Sequence, residues 1–224
     1  MVSFSNLSSL EQARFNMIEQ QVRTWDVLSP EVLEVLRTLP REDFVPGRYR
    51  KLAFSDLRIP LGHDQVMMKP LEEGRLLQSL ALAPDDRVLE VGTGSGFLAA
   101  CLGRLAGQVH SLEIFQDLAE LARERLQGAG INNVTIEVAD ALAGWQPAEP
   151  LDVVVMTGSI ASVPEHWSDW VRTGGRLFCI RGHSPAMEAV VMRHLGGGQW
   201  LDDSLFETDL PRLIGAEDAE TFEF

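Results

Sequence analysis

The sequence is poor in cysteine, has no long apolar run and carries no excess of positive charge. Its 224 residues include two cysteines, Cys101 and Cys179. These are far apart and fit no metal-ligand or redox spacing. Both lie among apolar neighbours, so they read as buried thiols of a reducing cytoplasm. No apolar stretch approaches the ~20 residues of a membrane span, and no membrane partner is expected. The opening Met-Val-Ser-Phe-Ser-Asn-Leu has no basic start and no long apolar segment, so no secretory signal is expected. Formal net charge is −14, and the second half of the chain carries most of it: 14 acidic and 12 basic residues precede Glu113, and 19 and 7 follow from it. Binding to nucleic acid rests on Lys and Arg neutralising phosphates, so no nucleic-acid partner is expected. One local exception is Arg41 to Arg58, with Arg48, Arg50 and Lys51 between, which reads as a solvated segment or a patch for an anionic substrate. His110, His166, His183 and His194 show no ligand spacing with one another, and no metal is expected.

What is present begins with an ordinary globular composition, 45% apolar and 23% charged. The length suffices for one sizeable core. Arg87 to Gly96, Arg-Val-Leu-Glu-Val-Gly-Thr-Gly-Ser-Gly, reads as a short strand running into a glycine turn and then a helix from about Phe97. Glycine lets the backbone turn tightly and lets a ligand approach the main chain. About twenty residues on, a second apolar strand ends at Glu113, where such folds place a carboxylate for ribose hydroxyls. The spacing is Gly-x-Gly-x-Gly rather than the dinucleotide fingerprint, because position 97 is Phe.

Along the rest of the chain, residues 7–23 read as a helix. A second helix opens at Ser29-Pro30-Glu31 and stops before Pro40. Arg41 to Pro46 reads as extended or turn-like, and 53–70 as irregular, before a helix bearing Leu71, Leu76, Leu77 and Leu80. Further strands are expected at 134–138, 151–156 and 176–180, with helices at about 117–127 and 164–172. Two late strands are expected near 199–206 and 210–214, then a frayed acidic tail from Ala216 to Phe224. Strands alternating with helices imply a parallel, doubly wound α/β sheet. Trp145, Trp167 and Trp170 read as packing.

Glu90-Val91-Gly92-Thr93-Gly94-Ser95-Gly96 resembles motif I of the class I S-adenosylmethionine-dependent methyltransferases. The longer set resembles the protein-L-isoaspartate O-methyltransferase family. It comprises Met17 to Arg23, Pro40 to Pro46 with its Phe44-Val45-Pro46, Ala53 to Asp56, Ile59 to Gly62, Val88 to Phe97, Val155 to Gly158 and Gly174 to Leu177. The resemblance implies a seven-stranded, mostly parallel Rossmann-like sheet with an N-terminal helical extension. It implies one domain over 1–224: helices and substrate loop in 1–80, a cofactor-binding core in 81–200, late strands and tail in 201–224. It implies S-adenosyl-L-methionine as cofactor. Glu90, Gly92, Thr93, Gly94, Ser95 and Gly96 would line its methionine and ribose part, Glu113 and Ile114 its ribose side, and Asp140 and Ala141 the adenine edge. Met68 would lie beside it. The implied reaction is carboxyl methylation of isoaspartyl sites in damaged peptides or proteins, in the cytoplasm.

The substrate loop departs from the family pattern Gly-x-Gly-Gln-Thr-Ile-Ser-x-Pro. Here it is Gly62-His63-Asp64-Gln65-Val66-Met67-Met68-Lys69-Pro70, with Val66 and Met68 at the threonine and serine positions. If the acceptor is a carboxylate, Lys69 or an Arg of 41–58 has to supply the lost contacts. If it is a hydroxyl or amine, a base is needed, and His63 or Asp64 is the nearest. A different acceptor, an unidentified small molecule among them, or cofactor binding without turnover, are the alternatives.

Overall fold

The computed structural model describes residues 8–216. Helix α1 (Ser9–Met17) starts at a reciprocal cap: the Glu11 N–H donates to the Ser8 hydroxyl, and the Ser8 N–H donates to the Glu11 carboxylate. The expected single helix to residue 23 is instead continued by a π turn, Ile18–Val22, and a 3₁₀ turn, Arg23–Trp25. Helix α2 (Pro30–Thr38) is capped by Ser29. Two 3₁₀ turns follow, Arg41–Asp43 and Gly47–Leu52. Within the stretch expected to be irregular, β1 (Ile59–Gly62) and β2 (Gln65–Met67) form a separate antiparallel hairpin. Helix α3 (Pro70–Leu80) comes next.

The main sheet has seven strands: β3 (Arg87–Val91), β4 (Gln108–Glu113), β5 (Val134–Val138), β6 (Leu151–Ile160), β7 (Val171–His183), β8 (Ala186–Gly196) and β9 (Gln199–Thr208). Their order is β5-β4-β3-β6-β7-β8-β9. The first five in that order are parallel, and β8 and β9 are added antiparallel. Helices α4 (Phe97–Leu105) and α5 (Gln116–Gly128) make the crossovers between β3, β4 and β5. Val153 to Met156 are fully buried, as a central parallel strand covered on both faces requires.

Three expectations need correction. The sixth strand is β8, over Ala186–Gly196, and 210–214 is not a strand but touches β6 through a single bridge, Ser159 to Arg212. The expected helix at 164–172 is a 3₁₀ turn, Glu165–Trp170. Strand β7 starts at Val171 rather than 176, because Val171 pairs with Leu151. Most of the acidic tail, 217–224, lies outside the described residues. Among those described, no helix is long and apolar enough to cross a membrane.

One apolar cluster joins the N-terminal helices to one face of the sheet through Ile18, Leu36, Phe44, Leu77, Phe97 and Val155. The opposite face is covered by the 3₁₀ turn and the chain after β5. There Trp167 stacks on Trp170 at 5.2 Å, and Trp145 meets Trp170 edge-on at 5.5 Å. The tryptophans are packing groups.

Candidate active site

A cleft opens at the C-terminal ends of β3, β4 and β6, where a doubly wound sheet reverses its strand order. Its floor is the glycine turn. Gly92, Gly94 and Gly96 have φ of 97°, 52° and 82°, values that an L side chain rarely adopts. A Cβ on Gly92 would collide with the Thr157 hydroxyl. That hydroxyl donates to the carbonyls of Val91 (2.9 Å) and Gly92 (2.6 Å), fixing the turn from the neighbouring strand. A Cβ on Gly94 would stand 3.1 Å from Leu61 Cδ1, and one on Gly96 3.0 Å from Ala122 Cβ. Gly92 and Gly94 therefore bare main chain to the cleft, and Gly96 serves the close packing of α5.

Glu113 ends β4 beside this turn. The Gly94 N–H donates to its Oε2 at 2.7 Å, and the Phe115 N–H donates to its Oε1 at 3.1 Å. Burial pushes the carboxyl up from its ordinary value, and the Gly94 and Phe115 amides oppose that rise. Ile114 and Phe115 continue the wall. Asp140 and Ala141 close one end. The Leu142 N–H donates to Asp140 Oδ1 at 2.8 Å, which leaves the second oxygen outside that turn.

Not every residue singled out in the sequence reaches the cleft. Gly92, Gly94, Glu113, Ile114, Asp140 and Ala141 line it. Glu90 lies beneath it, with none of its surface exposed, bonded to the Ser111 hydroxyl. Thr93 bonds the same hydroxyl at 2.6 Å. Burial raises the Glu90 carboxyl to about 8. Ser95 accepts the Phe97 N–H at 3.2 Å, inside the turn. Met68 is buried in the core. Lys69 is the residue just before α3, its ammonium 3.6 Å from Asp56. His63 sits at the hairpin tip, stacked on the Phe115 ring at 4.0 Å and 2.9 Å from Asp117. A hydrogen bond from His63 lowers the Asp117 carboxyl. Asp64 is exposed beside it, also in the left-handed conformation, with φ of 56°.

The basic stretch of 41–58 is not one surface patch. Arg41 is buried and paired with Glu73, Arg50 pairs with Asp43, and Arg58 pairs with Glu72.

Other cleft residues have no local signal as site residues. Leu61, Gln65 and Val66 reach it from the hairpin, and Leu210, Pro211, Leu213 and Ile214 from a strap after β9. The strap is fastened to Ser159, whose N–H donates to the Pro211 carbonyl and whose carbonyl accepts from Leu213, both at 2.9 Å. Thr157 could have been found by its place just beyond the apolar core of a central parallel strand.

Comparison with known proteins agrees with this geometry. Residues 12–195 match the family model of protein-L-isoaspartate(D-aspartate) O-methyltransferase. A protein-L-isoaspartate O-methyltransferase 2 of Pelobacter propionicus is 34% identical over 213 residues, 95% of each chain. A protein-L-isoaspartate O-methyltransferase of Protochlamydia amoebophila is 36% identical over 207 residues, 92% of this chain and 98% of the relative. Among solved structures, a Plasmodium falciparum protein assigned to the same activity and crystallised with S-adenosyl-L-homocysteine shares the fold. It has a TM-score of 0.76 at 17% identity, over 92% of this chain and 99% of that one. Bared main chain at two glycines, with a carboxylate within hydrogen-bond distance of one of them, fits a sulfonium nucleoside. By sequence and by fold, this chain belongs to the protein-L-isoaspartate(D-aspartate) O-methyltransferase family and is an S-adenosylmethionine-dependent methyltransferase.

Proposed function

We propose that the chain methylates a carboxyl group of isoaspartyl residues in damaged peptides and proteins. The observation that carries this reading is that the family match runs from residue 12 to residue 195, through the hairpin, the glycine turn and Glu113. The whole chain would act as one methyltransferase domain. Its two cysteines are free and buried, which suits the cytoplasm.

When bound, the cofactor supplies an electrophilic methyl group on a sulfonium. Gly92 and Gly94 would admit its methionine and ribose part to the main chain, and Glu113 would accept from the ribose hydroxyls. Asp140, with one oxygen held by Leu142, would offer the other to the adenine edge, flanked by Ile114 and Ala141. Glu90, Thr93 and Ser95 would act from beneath, by holding the turn. An isoaspartyl carboxylate is already ionised at neutral pH, so no general base is required. Rate enhancement would then come from placement, for which near-attack geometry can supply up to roughly 7–11 kcal/mol. Lys69, which lies outside the cleft lining with its ammonium 3.6 Å from Asp56, would have to turn toward the cleft to receive the acceptor.

One observation favours a second reading, an acceptor of another kind. Val66 lines the cleft where the family pattern has threonine, so that wall is apolar. A hydroxyl or amine acceptor would need a base, and His63, already against Asp117, or Asp64 would have to serve.

The test is transfer of labelled methyl from S-adenosylmethionine to an isoaspartyl peptide beside its aspartyl counterpart. Base-labile label in the isoaspartyl peptide alone is expected. Cofactor binding with no label above blank would remove the proposal in favour of another acceptor.

A further inference from the structure

Arg41 stands inside the protein, 1% exposed, at the start of a 3₁₀ turn. Its guanidinium reaches four separate segments. Nε donates to the Ala53 carbonyl at 2.8 Å, Nη2 to the Met68 carbonyl at 2.7 Å, and Nη1 to the Glu73 carboxylate of α3. Its carbon lies 4.8 Å from the ring centre of Phe97, the first residue of the helix that follows the glycine turn. Phe44, three residues on along the same turn, meets that ring edge-on at 5.5 Å.

The contact with Met68 has a counterpart. The Lys69 N–H donates to Glu72 Oε2 at 3.0 Å. The Met68 carbonyl and the Lys69 N–H belong to one peptide plane. Both polar ends of that plane are therefore gripped by charged side chains, one from the N-terminal turn and one from α3. A planar peptide held at both ends cannot rotate, so the backbone plane between Met68 and Lys69 is set. Glu72 is itself fixed, because its Oε1 accepts from Arg58 and from the Thr208 hydroxyl, each at 2.7 Å.

We infer that Arg41 is a positioning residue for methyl transfer, holding the peptide between Met68 and Lys69 in fixed relation to the helix that carries the glycine turn. The inference rests on reading 62–70 as the acceptor loop. An apolar pair of similar size could fill the same space at no loss of stability, since buried ion pairs often gain nothing over well-packed apolar groups. What an apolar pair could not do is join two main-chain carbonyls, a carboxylate and an aromatic face in one rigid plane. Lysine lacks the fork needed for this as well.

The experiment compares the full-length protein with Arg41→Lys and with Arg41→Met/Glu73→Met, in which both charges leave together. Amide hydrogen exchange is read by segment, beside kcat and KM for S-adenosylmethionine with an isoaspartyl peptide. Exchange at 65–69 is expected to quicken about 10-fold in both variants while β3 and β6 keep their rates, a local rather than global loosening. In Arg41→Lys, kcat should fall about 30–100-fold, with KM for the cofactor within about 3-fold of the parent. If exchange quickens equally everywhere, or if 65–69 stay protected in the double variant, Arg41 is a structural residue and the inference is overturned. Should Arg41→Lys fail to fold, the double variant decides alone. A parent enzyme that leaves the isoaspartyl peptide unmethylated would overturn the substrate reading, and the exchange data would still decide whether Arg41 holds the loop.

Discussion

The two walls of the cleft are built in different ways. The cofactor wall comes from a short run of sequence, β3 with its glycine turn, together with the end of β4. Its polar atoms answer one another across adjacent strands: Gly94 to Glu113, Thr93 to Ser111, Ser111 to Glu90. The acceptor wall is gathered from the hairpin near residue 60, Thr157 within β6 and the strap after β9, and it is lined largely by Leu61, Val66, Leu210, Leu213 and Ile214. A wall made of main chain and one carboxylate leaves little room for substitution. A wall of apolar side chains on separate segments tolerates change more readily, and Val66 stands in it.

If that contrast is right, the cofactor wall breaks under single changes. Gly94→Val forces a side chain onto a φ of 52° and toward Leu61, and should weaken binding of S-adenosylhomocysteine about 100-fold or more by calorimetry. Unchanged affinity would put the cofactor elsewhere. Glu113→Ala would remove the carboxylate proposed to accept from the ribose hydroxyls. At about 1.5–3 kcal/mol for a hydrogen bond to a charged group, affinity should fall about 10–100-fold.

The acceptor wall should respond in the opposite sense. Val66→Thr with Met68→Ser restores both hydroxyls of the family pattern and should raise kcat/KM for an isoaspartyl peptide about 10-fold, with cofactor affinity unchanged. No gain, or a loss, would favour the second acceptor reading.

A further effect, on stability rather than on binding or rate, concerns the buried layer beneath the cofactor wall. Glu90 is raised to about 8 and Glu73 to about 7, chiefly by burial, from an ordinary value of 4.5. Between 4.5 and these values the folded chain holds protons that the unfolded chain has released. Stability therefore falls as pH rises from about 5 to 8, at up to roughly 1.4 kcal/mol per pH unit for each carboxyl, and levels off above. Glu90→Gln should flatten that slope in melting curves taken from pH 5 to 8. A slope equal to the parent's would mean that Glu90 is already ionised at neutral pH.

Legibility in the sequence follows the same division. The glycine turn and Glu113 are separated by one crossover, so strand period and spacing suffice to bring them together, and Gly94 and Glu113 do touch. The strap and the hairpin meet the cleft only through long-range packing, which no local pattern encodes. Leu213 lies against Gly158 and Leu61 against Gly94 because the fold brings them there. Strand β8, Ala-Met-Glu-Ala-Val-Val-Met-Arg-His-Leu-Gly, is rich in residues that suit helices. It is a strand because it is paired along its length on both sides, by β7 and β9. The π turn in the first helix has no sequence signature either. Arg41 looks like part of a basic surface in the sequence, and only the partners in α3 and the acceptor loop reveal it as an interior group.

The hairpin tip is anchored on the far side of the cleft, where His63 lies on Phe115 and against Asp117. The hairpin contributes Leu61, Gln65 and Val66 to the cleft and runs directly into Met68 and Lys69. Displacing this hairpin from the cleft would part the imidazole from that ring and from the Asp117 carboxylate. The hairpin is thus pinned at its tip by a ring and a carboxylate that follow directly on Glu113, so one strand-to-helix connection serves both walls of the cleft.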